Sequence, residues 1–323
     1  MRDSVNRRRR RRNPYTELLH LLNQRYHAEF VRAELLQNDL TGLQGSKFAR
    51  VAEWLRVQAR RLFPHPAAVT KSITEHAAPY TGPVFPAPAD ARVSIVIPFR
   101  DRPELLRNCL RSIRRSTFRR IEIVLVDNGS EDPRTGRLLA RAGERLDVRL
   151  VSRPGPFNFS LLCNAGAAAA TGDHLVFLNN DTEVLSRQWL ERLLGLAADP
   201  AVGAVGATLL FPDRTIQHAG LLPRSDGMWV HPYQGRPADD PGAGGELRTV
   251  RIVPAATAAC LMVRRDRFEE AGGFDERMPV THNDVDLCRR IRARGRVVVV
   301  TPRARLLHYE GLSRGYTVDP PPA

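Results

Sequence analysis

His174-Leu175-Val176-Phe177-Leu178-Asn179-Asn180-Asp181 is the stretch that decides the fold. An apolar run the length of one strand ends directly in two amides and a carboxylate. A strand with no polar face reads as one covered on both sides, as in a parallel sheet. In open α/β sheets ligands gather at the carboxyl ends of such strands. A second run of the same kind, Ile121 to Val126, ends in Asp127-Asn128-Gly129-Ser130. Two strand-end acids point to a single nucleotide site, with one of them able to hold a divalent cation against a diphosphate. The competing reading of each acid is a turn residue, because Asp and Asn cap turns through their own side chains.

Working outward, strand and helix signals alternate. Val93 to Ile97 is a fully apolar strand. Asp101-Arg102-Pro103-Glu104 has the form of a capping box with an early proline, and Leu106, Leu110 and Ile113 give the following helix a buried stripe. Val148 to Val151 is a further strand. Ser160 to Ala170 is an alanine-rich helix closed by Gly172, and Arg187 to Ala198 is another helix. This alternation predicts an α/β fold with a doubly wound, mainly parallel sheet. A Gly/Pro-rich segment from Pro232 to Gly245 is long enough to read as functional or disordered.

Upstream, residues 1–14 form a basic arm, 15–63 an N-terminal helical extension with the pattern of a hairpin, and 64–90 a proline-rich linker. The catalytic-type domain is expected over 91–316, with a tail at 317–323. The chain has 323 residues, 42% of them hydrophobic, and a formal charge of +14. Seven Arg and one Asp in residues 1–12 contribute +6 of that charge. Cys109, Cys163, Cys260 and Cys288 lie far apart in apolar stretches and read as buried, reduced thiols. No run approaches the roughly 18 apolar residues of a membrane span, and the cationic start is not followed by an apolar signal region. The expectation is a cytoplasmic protein, with the arm able to touch the inner face of an anionic membrane.

Five motifs stand in one order: Val93-Ser94-Ile95-Val96-Ile97-Pro98, Val126-Asp127-Asn128-Gly129-Ser130, Leu178-Asn179-Asn180-Asp181, Gly272-Gly273-Phe274-Asp275 and Asn283-Asp284-Val285-Asp286-Leu287-Cys288-Arg289-Arg290. In that order they resemble the family 2 glycosyltransferases of the GT-A fold, over about residues 91 to 316. The likeness is nearest to bacterial members that add sugars, often rhamnose, to cell-surface polysaccharides. The resemblance implies a nucleotide-diphosphate sugar as donor, a glycan or lipid-linked acceptor, Mg²⁺ or Mn²⁺, and inversion at the transferred carbon.

It also implies roles. Asp181 matches the last acid of the family's DxD metal motif, here with Asn179 and Asn180 in the first two places, so cation binding would lean on the substrate diphosphate. Asp127 matches the acid that recognises the base. Pro98, Arg100 and Asp101 fall in the first loop near base and ribose, and Asn158, Asn164 and Asn180 match polar contacts to the nucleotide. Asp284 matches the catalytic base at the start of a helix, with Asn283 where the family has Glu. His308 matches a histidine that completes the cation's shell, and His218 falls near acceptor or diphosphate.

The residues leave alternatives open. Asp286 competes with Asp284 as base, or pairs with Arg289 or Arg290. His308 and His218 also read as solvated or structural histidines. Trp229, His231 and Tyr233 form either a sugar-stacking wall or core. A nucleotidyltransferase would want a similar pocket, but its basic glycine-rich signature near the first strand is absent. A nucleic-acid-binding protein is the non-enzyme alternative, motivated by the charge; no recognition motif supports it, and no nucleic-acid partner is expected.

Overall fold

In the computed structural model the structure describes residues 77–309, apart from 144–145, 225–227 and 243. The expected arm (1–14), helical hairpin (15–63), first part of the linker and tail (317–323) lie outside the described residues.

The strands in chain order are β1 (Ala78–Pro79), β2 (Val93–Phe99), β3 (Ile121–Asp127), β4 (Val148–Ser152), β5 (His174–Leu178), β6 (Thr182–Val184), β7 (Val202–Leu210), β8 (Ile216–His218), β9 (Leu222–Pro223), β10 (Trp229–Val230), β11 (Arg251–Val253), β12 (Cys260–Arg264) and β13 (Val297–His308). The helices are α1 (Pro103–Ile113), α2 (Pro133–Ala142), α3 (Phe159–Ala169), α4 (Trp189–Ala197), α5 (Arg265–Glu270) and α6 (Asn283–Arg292). The main sheet runs β1-β11-β13-β7-β12-β5-β2-β3-β4, with β6 on β13 and β8 on β7.

Every residue of β2, β5 and β7 is buried, which requires cover on both faces of the sheet. Leu106 and Ile113 of α1 and Trp189 of α4 cover one face, in one cluster with Val93, Ile95 and Ile97. Leu162 of α3, Phe268 of α5, Leu287 of α6 and the loop residue Phe274 cover the other, around Phe177 of β5. The Phe177 ring centroid lies 4.9 Å from that of Phe268 and 4.8 Å from that of Phe274. Burying one such side chain stabilises the fold by about 1.5–3 kcal/mol. Gly166 lets α3 approach the sheet closely, since a Cβ there would collide with methyl groups of Val96 and Val126.

The doubly wound expectation holds: β5, β2, β3 and β4 pair in parallel, as do β7 and β13. β12 enters antiparallel between β5 and β7. β2, β3 and β4 step outward in one direction, whereas β5 returns to the other side of β2. The carboxyl ends of β2 and β5 therefore flank a topological switch point, where a crevice opens.

The described part of the proline-rich segment is built into the sheet edge. Ala78 and Pro79 pair with Ile252 and Arg251, the Tyr80 amide donates to Val250 O at 3.0 Å, and the Tyr80 hydroxyl reaches Asp199 Oδ2 at 2.5 Å. Proline is disfavoured inside central strands but fits an edge, where one N–H faces away from the ladder.

Candidate functional site

The switch-point crevice is a pocket of about 220 Å³ lined by Pro98, Phe99, Arg100, Asn128, Phe157, Phe159, Asn179 and Asn180. Asn179 and Asn180 follow β5 without a linker, and Pro98 and Phe99 close β2, so adjacent parallel strands deliver both walls. Of the residues singled out in the sequence, Pro98, Arg100 and Asn180 line it directly. Asn180 is buried, and its Nδ2 has no protein partner.

Asp127 and Asp101 form one interlocked pair of loops. Asp127 Oδ1 accepts from the Ser130 amide at 2.9 Å and the Ser130 hydroxyl at 2.7 Å. That hydroxyl in turn accepts from the Asp101 amide at 2.8 Å. Asp101 Oδ1 accepts from the amides of Glu131 and Asp132, each at 2.8 Å. The capping box expected at Asp101 is thus replaced. The chain passes through two left-handed residues, Asp101 (φ 50°) and Arg102 (φ 51°), and Arg102 stands at the N-cap of α1 with no side-chain bond to it. The turn aims the Asp101 carboxylate at the neighbouring loop instead of at its own helix.

Asp181, buried at 2% exposure, follows the pocket wall, and the backbone of Tyr309 donates to its carbonyl at 3.0 Å. Its carboxylate Oδ1 lies 3.3 Å from His308 Nε2. β13 brings His308 there, because His308 stands opposite Thr182 in the β13–β6 ladder. Gln217 Oε1 is 2.9 Å from His308 Nδ1 and Asn179 Nδ2 is 3.2 Å from His308 Nε2; with Nδ1–H donating to Gln217, Nε2 turns its lone pair towards Asp181 and Asn179. Two ligand atoms on neighbouring corners of an octahedral shell stand roughly 3 Å apart, so Asp181 and His308 fit a divalent cation. Among the described residues no cluster of three or more His, Cys, Asp and Glu side chains forms a complete cage. Substrate oxygens and water would supply the remaining positions. The Gln217 contact had no signal in the sequence, since it arises from β8 lying beside β7 and β7 beside β13.

Three consecutive residues gather the remaining groups. Ala259 O accepts from the Asn179 amide at 3.1 Å, Ala258 N donates to Asp284 Oδ2 at 3.3 Å, and Thr257 N donates to His218 Nε2 at 3.4 Å. Asp284 is half-buried in the first turn of α6, with Oδ1 also accepting from the Val285 amide at 2.8 Å. Asp286 is paired with Arg290, at 2.6 Å to Nη2 and 2.8 Å to Nε. The helix that carries both was legible, and Gly295 follows it with φ 76° as its stop.

His218 is 1% exposed. Its Nε2 accepts from Gly220 N and Thr257 N, and its Nδ1 faces His231 Nδ1 at 3.0 Å. Burial first, then the neighbouring His231 and Arg251, hold it well below the ordinary imidazole range, so the ring is neutral. Of the proposed aromatic wall, Trp229 is half-buried, whereas Tyr233 is buried with its hydroxyl on Glu246 Oε1 at 2.6 Å and Arg251 over its ring.

Asn158 and Asn164 are not among the residues that line the pocket, although Phe157 and Phe159 on either side of Asn158 are. Asn158 caps α3 and donates to Glu276 O at 2.8 Å. Asn164 donates to Phe274 O at 2.9 Å and Glu276 Oε1 at 3.0 Å, and accepts from Phe274 N at 2.9 Å. With the Ser160 hydroxyl on Met278 O at 2.6 Å, they pin the segment that leads into α6 and Asp284. All four cysteines are buried free thiols; burial pushes those of Cys109 and Cys288 up to about 12. No described helix is long and apolar enough to cross a membrane.

A family model described as glycosyl transferase family 2 matches residues 94–271. That match ends before Asp284 and His308. O-antigen biosynthesis protein RfbC of Myxococcus xanthus is 41% identical over 234 residues, which is 71% of this chain but only 18% of that protein. N-acetylglucosaminyl-diphospho-decaprenol L-rhamnosyltransferase of Mycobacterium tuberculosis is 28% identical over 233 residues, 65% of this chain and 73% of that one. The structure of mannosyltransferase PcManGT from Pyrobaculum calidifontis, solved with GDP-Man and Mn²⁺, superposes with a TM-score of 0.56 at 20% identity, over 78% of this chain and 65% of that one. The fold is shared.

Proposed function

The chain belongs to glycosyl transferase family 2, and from that premise we propose that it moves a sugar from a nucleotide-diphosphate sugar to a glycan or lipid-linked acceptor in cell-surface polysaccharide synthesis, with inversion. The observation that carries this reading is the Asp181–His308 pair, 3.3 Å apart beside a pocket at the switch point. Nucleobase and ribose occupy the pocket between Pro98, Arg100 and Asn180, with Asp127 and Asp101 holding the loops around them. Asp127 Oδ1 is already occupied by Ser130, which leaves Oδ2 to accept from a base N–H. Asp181 and His308 would hold Mg²⁺ or Mn²⁺, which would supply positive charge against the departing diphosphate.

Asp284 is the base. Its carboxylate takes the proton of the acceptor hydroxyl as that oxygen attacks the anomeric carbon, and the carbon–oxygen bond to phosphate breaks with its electron pair leaving on the diphosphate. Attack opposite the leaving group inverts the centre. His218, neutral and held by backbone amides, shapes the acceptor or diphosphate side. The arginines at positions 7 to 12 supply charge for an anionic membrane carrying the acceptor.

Thermal-shift screening of UDP-, dTDP- and GDP-sugars with Mn²⁺, followed by donor hydrolysis and transfer to lipid-linked glycans, tests the reading. Stabilisation by one nucleotide series and turnover of that donor are expected. Absence of any nucleotide-sugar binding would overturn it.

A further inference from the structure

On the outer face of α1 and α2 lies a second concavity, of about 280 Å³, that shares no lining residue with the nucleotide pocket. Arg107 and Arg111 border it along α1, Arg114 at the C-cap of α1 and Arg141 from α2, with Leu110 and Leu138 also lining it. The four arginines are exposed. Among the described residues none of them makes an ion pair.

On the same two helices Arg134 pairs with Glu104 at 2.7 Å and Asp132 at 2.6 Å. Elsewhere Arg92, Arg264, Arg277, Arg290 and Arg296 each meet a carboxylate. Four guanidinium groups around one concavity carry mutual repulsion that an anionic occupant removes, and their planar forks match phosphate oxygens.

We propose that this groove docks the domain on an anionic phospholipid bilayer, with headgroup phosphates between the four arginines and glycerol and upper acyl carbons against Leu110 and Leu138. No aromatic side chain lines the groove, so it lacks the stacking platform on which single-stranded nucleic acid binds. The proposal is independent of the donor-site reading and of the arginines at positions 7 to 12.

The test is sedimentation of the full chain with vesicles of equal parts phosphatidylcholine and phosphatidylglycerol. It compares the parent with R107A/R111A/R114A/R141A and with the single charge reversal Arg111→Glu. Each is made also in a full chain whose arginines 7 to 12 are glutamines. An unchanged thermal unfolding midpoint certifies folding. Each arginine near an anionic surface contributes about fivefold in partitioning, so the quadruple variant is expected to lose on the order of 100-fold or more in both backgrounds. Pure phosphatidylcholine vesicles should bind no variant. Equal partitioning of parent and variants overturns the proposal. So does displacement of the parent from vesicles by free inorganic phosphate, which assigns a soluble anion. Loss of binding to a short single-stranded RNA with vesicle binding intact assigns nucleic acid and overturns it as well.

Discussion

Asp181 Oδ1 and His308 Nε2 lie 3.3 Å apart, although one follows three residues after the end of β5 and the other ends β13, the last described strand in chain order. Their approach is what the proposed two-point cation site rests on. Asp181→Ala is expected to abolish Mn²⁺-dependent nucleotide binding and turnover together, and excess EDTA should do the same to the parent. Gln217→Ala removes the acceptor that fixes the His308 tautomer, and a loss of about 10- to 100-fold in Mn²⁺ affinity is expected. Titration calorimetry with UDP or dTDP, with and without Mn²⁺, measures both; cation-independent binding in the parent would contradict the assignment.

Asp284 and Asp286 share the first turn of α6 but differ in partners, since Asp286 is tied to Arg290 while among the described residues Asp284 meets backbone amides. Asp284→Asn should keep nucleotide affinity and lose at least about 10²-fold in turnover. Asp286→Asn should leave turnover within a small factor and lower stability slightly. Wild-type transfer by Asp284→Asn would shift the base to another group.

Asn164 binds the 274–276 backbone and side chains through both ends of its amide. Asn164→Ala is therefore expected to lower kcat through misplacement of α6, while donor KM stays near the parent value. A rise in donor KM with kcat unchanged would instead indicate direct contact with the nucleotide.

His218 gives the fold a pH dependence of known sign. Burial, His231 and Arg251 keep it neutral when folded, whereas in the unfolded chain it titrates near 6.5. As pH falls through about 6.5 the unfolded state takes up a proton that the folded state refuses, so stability is lost below that value and is fully present above it. The thermal midpoint of the parent should drop more steeply between pH 7.5 and 5 than that of His218→Gln, on the scale of this ordinary imidazole titration. Parallel curves would remove His218 from the account.

The sequence alone determined the parts that local physics controls. Apolar runs such as His174–Leu178 must be covered on both faces, so their alternation with amphipathic helices specified a doubly wound sheet and the polar residues at strand ends. The helix bearing Asp284 was legible for the same reason: Leu287 and Ile291 recur at helical spacing and Gly295 ends it. The tertiary structure decided which distant segments meet. Antiparallel insertion of β12 placed Thr257, Ala258 and Ala259 between His218, Asp284 and Asn179. The β7–β13 and β7–β8 pairings brought His308 to Asp181 and Gln217 to His308. Strand order arises from burial of the whole sheet and closure of long loops, and these leave no periodicity in any one segment. The same holds for Asn158 and Asn164, whose amides bind a loop more than a hundred residues away, and for Asp101, whose left-handed backbone turns its carboxylate from its own helix to the next loop.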